Sequence, residues 1–347
     1  MSKITKGQRI GILTAGGDCP GLNAAIRGVG KTAIVKYDMK LMGISDGFSG
    51  MINKEYRELT ENDLSGILTL GGTILGTSRE KPFKGSNKGK NEISKPVLIK
   101  EHYEQMGLDC LVCIGGNGTM KTANLLSQEG LNVVGIPKTI DNDVWGTDLT
   151  FGFDSAVNIA TEAIDRLHST ANSHKRIMII ELMGHNAGWI ALYSGIAGGG
   201  DVILLPEIDY KEEKIAEYLL NRVAGNKPYS IVVVAEGIRN PVKDSCSAAQ
   251  SLSKKILELT GLETRETVLG YIQRGGTPSP MDRVLATRYG AAAADMIAEK
   301  DYGKMVAIKD NNIVSVPLAD VSGKLKLVEH DNPMVIQAKN MGTNFGN

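Results

Sequence analysis

The densest chemistry in this chain lies at residues 137–143, Pro-Lys-Thr-Ile-Asp-Asn-Asp. Two carboxylates, Asp141 and Asp143, share this heptad with the Thr139 hydroxyl and the Lys138 ammonium. A carboxylate held at the end of a strand can take the proton of a substrate hydroxyl. A second carboxylate beside it raises the first one's pKa or helps to hold a metal. An ammonium can meet the charge on a transferring phosphoryl group. The same residue types also build ordinary polar turns between α/β elements. The heptad alone leaves both readings open, so its surroundings have to decide.

Apolar residues 133–136 lead into the heptad and read as a buried strand. Residues 10–14 read as another strand, followed by Ala-Gly-Gly-Asp-Cys-Pro-Gly at 15–21 and a helix over 22–35. A strand, a glycine loop and a helix in that order present backbone N–H groups and a helix N-terminus to phosphate. The Lys-Ser/Thr ending of a P-loop and the GxGxxG spacing are both missing. The pattern recurs as a strand at 110–114, a glycine loop at 115–119 and a helix at 120–128. A third glycine-rich turn, 71–79, ends on Arg79. Further strands are expected at 176–181, 201–205 and 230–235, with helices at 156–170, 211–224, 248–260 and 281–299. Strands alternating with helices predict an α/β fold with mostly parallel sheets. Such sheets bind ligands outside the C-terminal ends of their strands. The glycine loops and the heptad all fall at those ends and are expected to converge.

Glycine loops and a strand-edge arginine suit a polyphosphate, with Arg79 free to make a bidentate contact. Arg176, Arg265 and Arg274, the last beside Gly275 and Gly276, could hold a second phosphate carried by a sugar. Glu236, at the end of the 230–235 strand, could accept hydrogen bonds from sugar hydroxyls. Each of these also has a plainer reading, as a solvated surface arginine, a helix cap or a salt bridge.

The chain has 347 residues, enough for two domains or one large α/β unit. Its 39 basic residues balance 39 acidic ones, so no overall charge steers it to nucleic acid or membrane, and any anion site must be local. Glycine is plentiful, at 41 residues, and aromatic residues make up only 5%, which suits strand-end loops that approach ligands closely. Cys110 and Cys113 form a CxxC inside a strand pattern. That spacing points the two thiols to opposite faces, a poor metal pair. Cys19 and Cys246 are scattered, and no disulfide framework is evident. Residues 81–95, rich in Lys, Gly and Asn, read as a mobile surface segment. The first nine residues are polar, and no apolar run approaches the ~18 residues that span a bilayer, so a cytoplasmic protein is expected.

Several motifs, in order across roughly residues 8–300, resemble the phosphofructokinase family. They are Gly-Gly-Asp-Cys-Pro-Gly-Leu-Asn at 16–23, the loop at 115–119, the heptad and Gly-Phe-Asp-Ser-Ala at 152–156. Met183-Gly184-His185 and the stretch 269–276 complete the set. The resemblance implies two Rossmann-like lobes with an active site in the cleft between them. Residues 1–152 plus about 273–325 would bind the donor, and 153–272 plus about 326–347 the sugar phosphate. It implies Mg²⁺-dependent transfer of a phosphoryl group to the 1-hydroxyl of fructose 6-phosphate. Asp141 would be the general base, supported by Thr139, Lys138 and Asp143. Gly17, Arg79, Gly116, Asn117, Gly118 and Thr119 would bind the donor phosphates, with Asn117 and Asp143 at the metal. Met183, Gly184, His185, Glu236, Tyr271 and Arg274 would meet the sugar phosphate together with Thr139 and Asp141. Arg176 and Arg265 match arginines that the family donates from a neighbouring subunit, so a dimer or tetramer is expected, with no nucleic-acid or membrane partner.

The family contains ATP-dependent and pyrophosphate-dependent enzymes. Where pyrophosphate enzymes carry an aspartate that occupies the space of an ATP phosphate, this chain has Gly118. Where they carry a lysine before Thr139, it has Lys138. The pair resembles an ATP-using subgroup close to the pyrophosphate enzymes, and ATP is the expected donor. Asn117 stands where the family usually has a metal-binding aspartate, and His185 where it has an arginine that contacts transferring phosphate. These departures leave open a pyrophosphate enzyme, a weakly active or regulatory sugar-phosphate-binding subunit, and a kinase of another ketose phosphate such as sedoheptulose 7-phosphate.

Overall fold

The computed structural model describes residues 7–84, 93–238 and 247–347. Cys246 and residues 85–92 of the lysine-rich stretch lie outside the described residues. The elements run β1 (Arg9–Thr14), α1 (Leu22–Tyr37), β2 (Lys40–Ile44), α2 (Phe48–Asn53), β3 (Tyr56–Leu59), α3 (Lys95–Gln105), β4 (Cys110–Gly115), α4 (Asn117–Gln128) and β5 (Val133–Pro137). Then come α5 (Phe153–His174), β6 (Ile177–Leu182), α6 (Trp189–Ala197), β7 (Val202–Leu204), α7 (Glu212–Ala224), β8 (Ser230–Ala235), α8 (Ala248–Thr260) and β9 (Thr264–Val268). The chain ends with α9 (Pro280–Ala298), β10 (Lys304–Lys309), β11 (Asn312–Pro317), α10 (Leu318–Val321) and α11 (Pro333–Asn340).

Two compact units form. The first holds Met1–Thr139, Asp143–Gly152 and Arg274–Leu325; the second holds Ile140–Asn142, Phe153–Gln273 and Lys326–Asn347. The heptad is therefore divided, with Thr139 and Asp143 in the first unit and Asp141 in the second.

In the first unit a seven-stranded sheet has the order β11-β10-β5-β4-β1-β2-β3, with β4 at its centre. The inner strands pair in parallel, and β3 and β11 are antiparallel edges. Every residue of β4 and β5 is buried, as expected of parallel strands covered on both faces. Cys110 and Cys113 belong to that core, and burial pushes both thiols well up. Helix α1 packs on α9 at a glycine crossing. A Cβ on Gly28 would stand 2.7 Å from the Thr287 carbonyl oxygen, and one on Gly290 2.5 Å from that of Ala25. That close approach fixes the N-terminus of α1, and with it the first glycine loop.

The second unit has a four-stranded, wholly parallel sheet of order β7-β8-β6-β9. The α/β class with mostly parallel sheets is as expected from the alternation. Some local expectations need correction. The glycine loop at 115–119 is much shorter: Asn117, Gly118 and Thr119 already form the first turn of α4. The N–H groups of Thr119 and Met120 both bond the Gly116 carbonyl, so the helix starts directly after two glycines. Helix α5 runs beyond 156–170 at both ends. Arg176 precedes β6 instead of opening it. The polar stretch around Arg265 is β9, an edge strand whose Arg265 and Glu266 are exposed while Thr264 is buried.

Candidate active site

In the first unit, β1, β4 and β5 end side by side: Thr14 pairs with Ile114, and Gly115 with Pro137. The first glycine loop, the start of α4 and the heptad therefore emerge at one edge of the sheet. Gly16 takes a left-handed φ of 86° and Gly21 one of 104°. The loop is tied to the 71–79 turn, because the Gly16 N–H donates to the Ser78 carbonyl at 2.9 Å and the Thr77 hydroxyl to the Gly16 carbonyl at 2.7 Å. Arg79, at the end of that turn, is exposed. Gly115 is required sterically, since a Cβ there would lie 2.1 Å from the Thr119 Oγ1. Gly116 is the N-cap of α4 and brings no side-chain cap, which leaves the Asn117 and Gly118 N–H groups available to an anion. A Cβ on Gly118 would enter open space.

Lys138 is 3% exposed and its ammonium donates to the Gly17 carbonyl. Arg274 closes on the same loop, its Nη1 donating to the Asp18 carbonyl at 3.1 Å. A Cβ on Gly17 would meet that nitrogen at 2.9 Å. Arg274 was expected among the sugar-phosphate residues; the contact it makes is with the first glycine loop. Cys19, buried in that loop, has its thiol pushed up to about 12 by desolvation, against 9.0 for a free cysteine.

The Thr139 carbonyl accepts the Thr150 hydroxyl at 2.8 Å, which anchors the heptad's entry. Asn117 donates its side-chain Nδ2 to Asp143, at 2.7 Å to Oδ2 and 3.3 Å to the backbone carbonyl. The other end of that amide, Asn117 Oδ1, is buried with no partner among the described residues. No group of three or more His, Cys, Asp or Glu side chains able to hold a metal occurs among the described residues. Asp143 and Asn117 thus bring one carboxylate and one amide oxygen together at this edge. That set suits Mg²⁺, which is held through one or two carboxylates plus substrate phosphates and keeps several waters.

In the second unit, β6 and β8 end together, with Leu182 paired to Ala235. The turn after β6 carries Met183, Gly184 and His185, and Glu236 follows β8. One Glu236 oxygen accepts the His185 N–H at 2.8 Å and the Gly184 N–H at 3.2 Å. Glu236 thus shapes the turn and still presents an exposed carboxylate. Gly184 has φ 152° and His185 a left-handed 53°. Gly237 must lack a side chain, because a Cβ there would stand 2.1 Å from the His185 carbonyl oxygen. The exposed His185 and Glu236 line a cavity of about 420 Å³ together with Glu181, Ser247 and Ala248. Met183 N–H donates to the buried Gln273 Oε1 at 2.8 Å, so the 269–276 stretch braces the same turn. Tyr271, in that stretch, is exposed.

Arg176 and Arg265 do not join this group. Ile177 pairs with Thr264 and Met178 with Arg265, which places both arginines at the N-terminal end of the β6–β9 pair. Met183, Gly184, His185 and Glu236 stand at the C-terminal end of the same sheet. A six-residue strand separates the two ends by roughly 17–20 Å. Glu263 holds both arginines, accepting from Arg176 Nε at 2.7 Å and from Arg265 Nη2 at 2.5 Å. These contacts keep the Glu263 carboxyl below its ordinary range.

Residues 9–297 match the family model for phosphofructokinase. The chain belongs to the phosphofructokinase family. It is 59% identical to an ATP-dependent 6-phosphofructokinase of Bacteroides thetaiotaomicron, covering 97% of this chain and all of that one. It is 56% identical to an ATP-dependent 6-phosphofructokinase of Spirochaeta thermophila, covering 97% of each chain. A pyrophosphate–fructose 6-phosphate 1-phosphotransferase of Amycolatopsis methanolica is 46% identical, over 92% of this chain and 96% of that one. Among solved structures, a phosphofructokinase of Pichia pastoris superposes with a TM-score of 0.82 at 33% identity, over 90% of this chain and 35% of that one.

The sequence patterns point to the heptad, the glycine loops and the Met183 turn. They pass over Gln273, Asn142 and Glu263. Gln273 lies inside the 269–276 stretch and Glu263 two residues before Arg265, so each has a neighbour in sequence that signals it. Among the described residues no helix is long and apolar enough to cross a membrane.

Proposed function

We propose that this chain is an ATP-dependent 6-phosphofructokinase, transferring a phosphoryl group from ATP to the 1-hydroxyl of fructose 6-phosphate. The observation that carries it is similarity over 97% of the chain, at 59% and 56% identity, to enzymes of that name. The geometry supports the donor assignment, since the open space at Gly118 leaves room for a further phosphate.

In this reading the residues divide the work. The uncapped start of α4, with Gly116, Asn117 and Gly118, and the loop at Gly17 hold the donor phosphates through backbone N–H groups, and Thr119 closes that first turn. Arg79 adds a bidentate charge contact, and Arg274 holds the Gly17 loop in shape. Lys138 offsets charge on the transferring group. Asp141 takes the proton of the sugar hydroxyl, and Thr139 and Asp143 position its neighbourhood. Mg²⁺, held by Asp143 and the Asn117 carbonyl oxygen, would neutralise charge on the donor phosphates. Glu236 and His185, on the turn that Gln273 and Glu236 hold in shape, receive the sugar, with Tyr271 beside them.

Arg176 and Arg265 stand at the wrong end of their own sheet to join that turn. We therefore assign them to the sugar-phosphate site of a second copy, in a homo-oligomer whose sites are shared. The free thiols of Cys19, Cys110 and Cys113 fit a reducing compartment, and we place the enzyme in the cytoplasm.

A second reading, with pyrophosphate as donor, draws on Lys138 and on the Amycolatopsis methanolica relative. The two are separated by following fructose 1,6-bisphosphate formation with each donor in turn. Asp141→Asn in the same assay should lose roughly 10²–10⁴ in turnover, as removal of a general base does, while fructose 6-phosphate binding persists. No product with either donor would overturn the proposal.

A further inference from the structure

Asn142 sits between the two aspartates of the heptad, 2% exposed, with a left-handed φ of 52°. A non-glycine residue holds that conformation only when its surroundings favour it, and asparagine pays least for it. Its side-chain Oδ1 accepts a hydrogen bond from the Lys326 ammonium at 3.0 Å. Lys326 lies outside residues 9–297, the stretch matched by the family model.

The lysine is itself held in place. Its ammonium stands 5.5 Å from the centre of the Trp189 ring, a cation–π distance. Its backbone carbonyl accepts the Trp189 indole N–H at 2.8 Å. Two residues on, the Val328 N–H donates to Glu207 Oε1 at 2.9 Å, and the same carboxylate takes the Gly188 N–H at 2.9 Å. A C-terminal strap is thus fastened to the start of α6 and delivers one ammonium to the middle of the heptad. All of these residues belong to the second unit, as does Asp141.

We infer that Lys326 is a positioning residue for the phosphoryl transfer: through Asn142 it fixes the backbone that aims the Asp141 carboxylate. The inference rests on the proposed kinase activity and on Asp141 as its base. Small displacements of a reacting group are costly, of order 10²-fold for about 1 Å. The ammonium acts on the geometry of the base and not on substrate affinity.

The test uses the full-length enzyme with fructose 6-phosphate and its working donor. Lys326→Met should lower kcat by about 10-fold or more, leave KM for fructose 6-phosphate within about twofold and leave Tm nearly unchanged. Lys326→Arg, which keeps a donor, should recover part of the loss. Asn142→Gly keeps the left-handed backbone and deletes the acceptor, so it should lose a similar factor. The double variant should lose no more than either single one. Losses that multiply in the double variant, or a Lys326→Met enzyme with unchanged kcat, would overturn the inference. A Lys326→Met loss carried by Tm alone would do the same. A wild-type enzyme inactive with both donors would instead sink the kinase reading on which it rests.

Discussion

Arg176 and Glu236 stand at opposite ends of one parallel strand pair. Arg176 precedes β6, Glu236 follows β8, and Ile177 is paired with Ser230 while Leu182 is paired with Ala235. One subunit cannot bring both to the same sugar phosphate across a distance of roughly 17–20 Å. Arg176→Ala and Glu236→Gln should each abolish most activity on fructose 6-phosphate. Mixed by co-refolding or co-expression, the two variants should form hybrids in which one subunit supplies the arginine and the other the glutamate. In a randomly mixed dimer, about a quarter of wild-type activity should return. Activity no higher than that of the separate variants would refute shared sites.

The contact between Asn117 and Asp143 makes a second prediction. Asn117 gives its amide N–H to a carboxylate that would otherwise face a second carboxylate if the residue were aspartate. Asn117→Asp removes a donor and adds a like charge, costing about 1–3 kcal/mol without a cation. With a chelator present, Tm should fall by several degrees, and Mg²⁺ should restore it. The Mg²⁺ concentration needed for half-maximal rate should fall as well. An unchanged Mg²⁺ dependence of both melting and rate would show that the pair does not hold the ion.

Much of this arrangement was legible in the residues themselves. β8 was readable because Ser-Ile-Val-Val-Val-Ala is apolar on both faces, and α8 because Ser247 and Gly261 punctuate it. The Ser247 hydroxyl accepts the Gln250 N–H, and Gly261 takes a left-handed φ of 69°. β9 was not readable, because an edge strand with Arg265 and Glu266 exposed carries little hydrophobic pattern. The beginning of α4 hid behind glycines that usually mark loops. Glu263 and Lys326 were silent for a different reason: each acts through a partner distant in sequence, and no local spacing announces it.

Gly118 should govern the donor. A Cβ there enters open space, so Gly118→Asp should fold normally and place a carboxylate beside the bound polyphosphate. Turnover with ATP should drop by at least about 10-fold, as expected when a like charge faces a phosphate in a partly dry site. Tm should hold. Unchanged kinetics with ATP would remove Gly118 from the donor assignment.

Cys19 predicts a pH dependence of stability. Burial lifts its thiol from 9.0 in an exposed chain to about 12 in the fold. The unfolded thiol therefore ionises first. The stability contributed by the buried neutral thiol is full below pH 9 and is lost as pH rises towards 12. Wild type should destabilise more steeply over that window than Cys19→Ala, so the gap between their melting temperatures should narrow as pH rises. At pH 8 the native Cys19 should also resist thiol reagents. A parallel pair of melting curves, or rapid labelling of Cys19, would contradict this placement.

The most direct test of the whole account offers both donors at once. Native enzyme, Mg²⁺ and fructose 6-phosphate are mixed with equal ATP and pyrophosphate, and phosphorus NMR follows which donor disappears as fructose 1,6-bisphosphate forms. Consumption of ATP at least about 10-fold faster than pyrophosphate is the predicted result, a preference worth about 1.4 kcal/mol or more in the transition state. Preferential loss of pyrophosphate, or no bisphosphate at all, would contradict it.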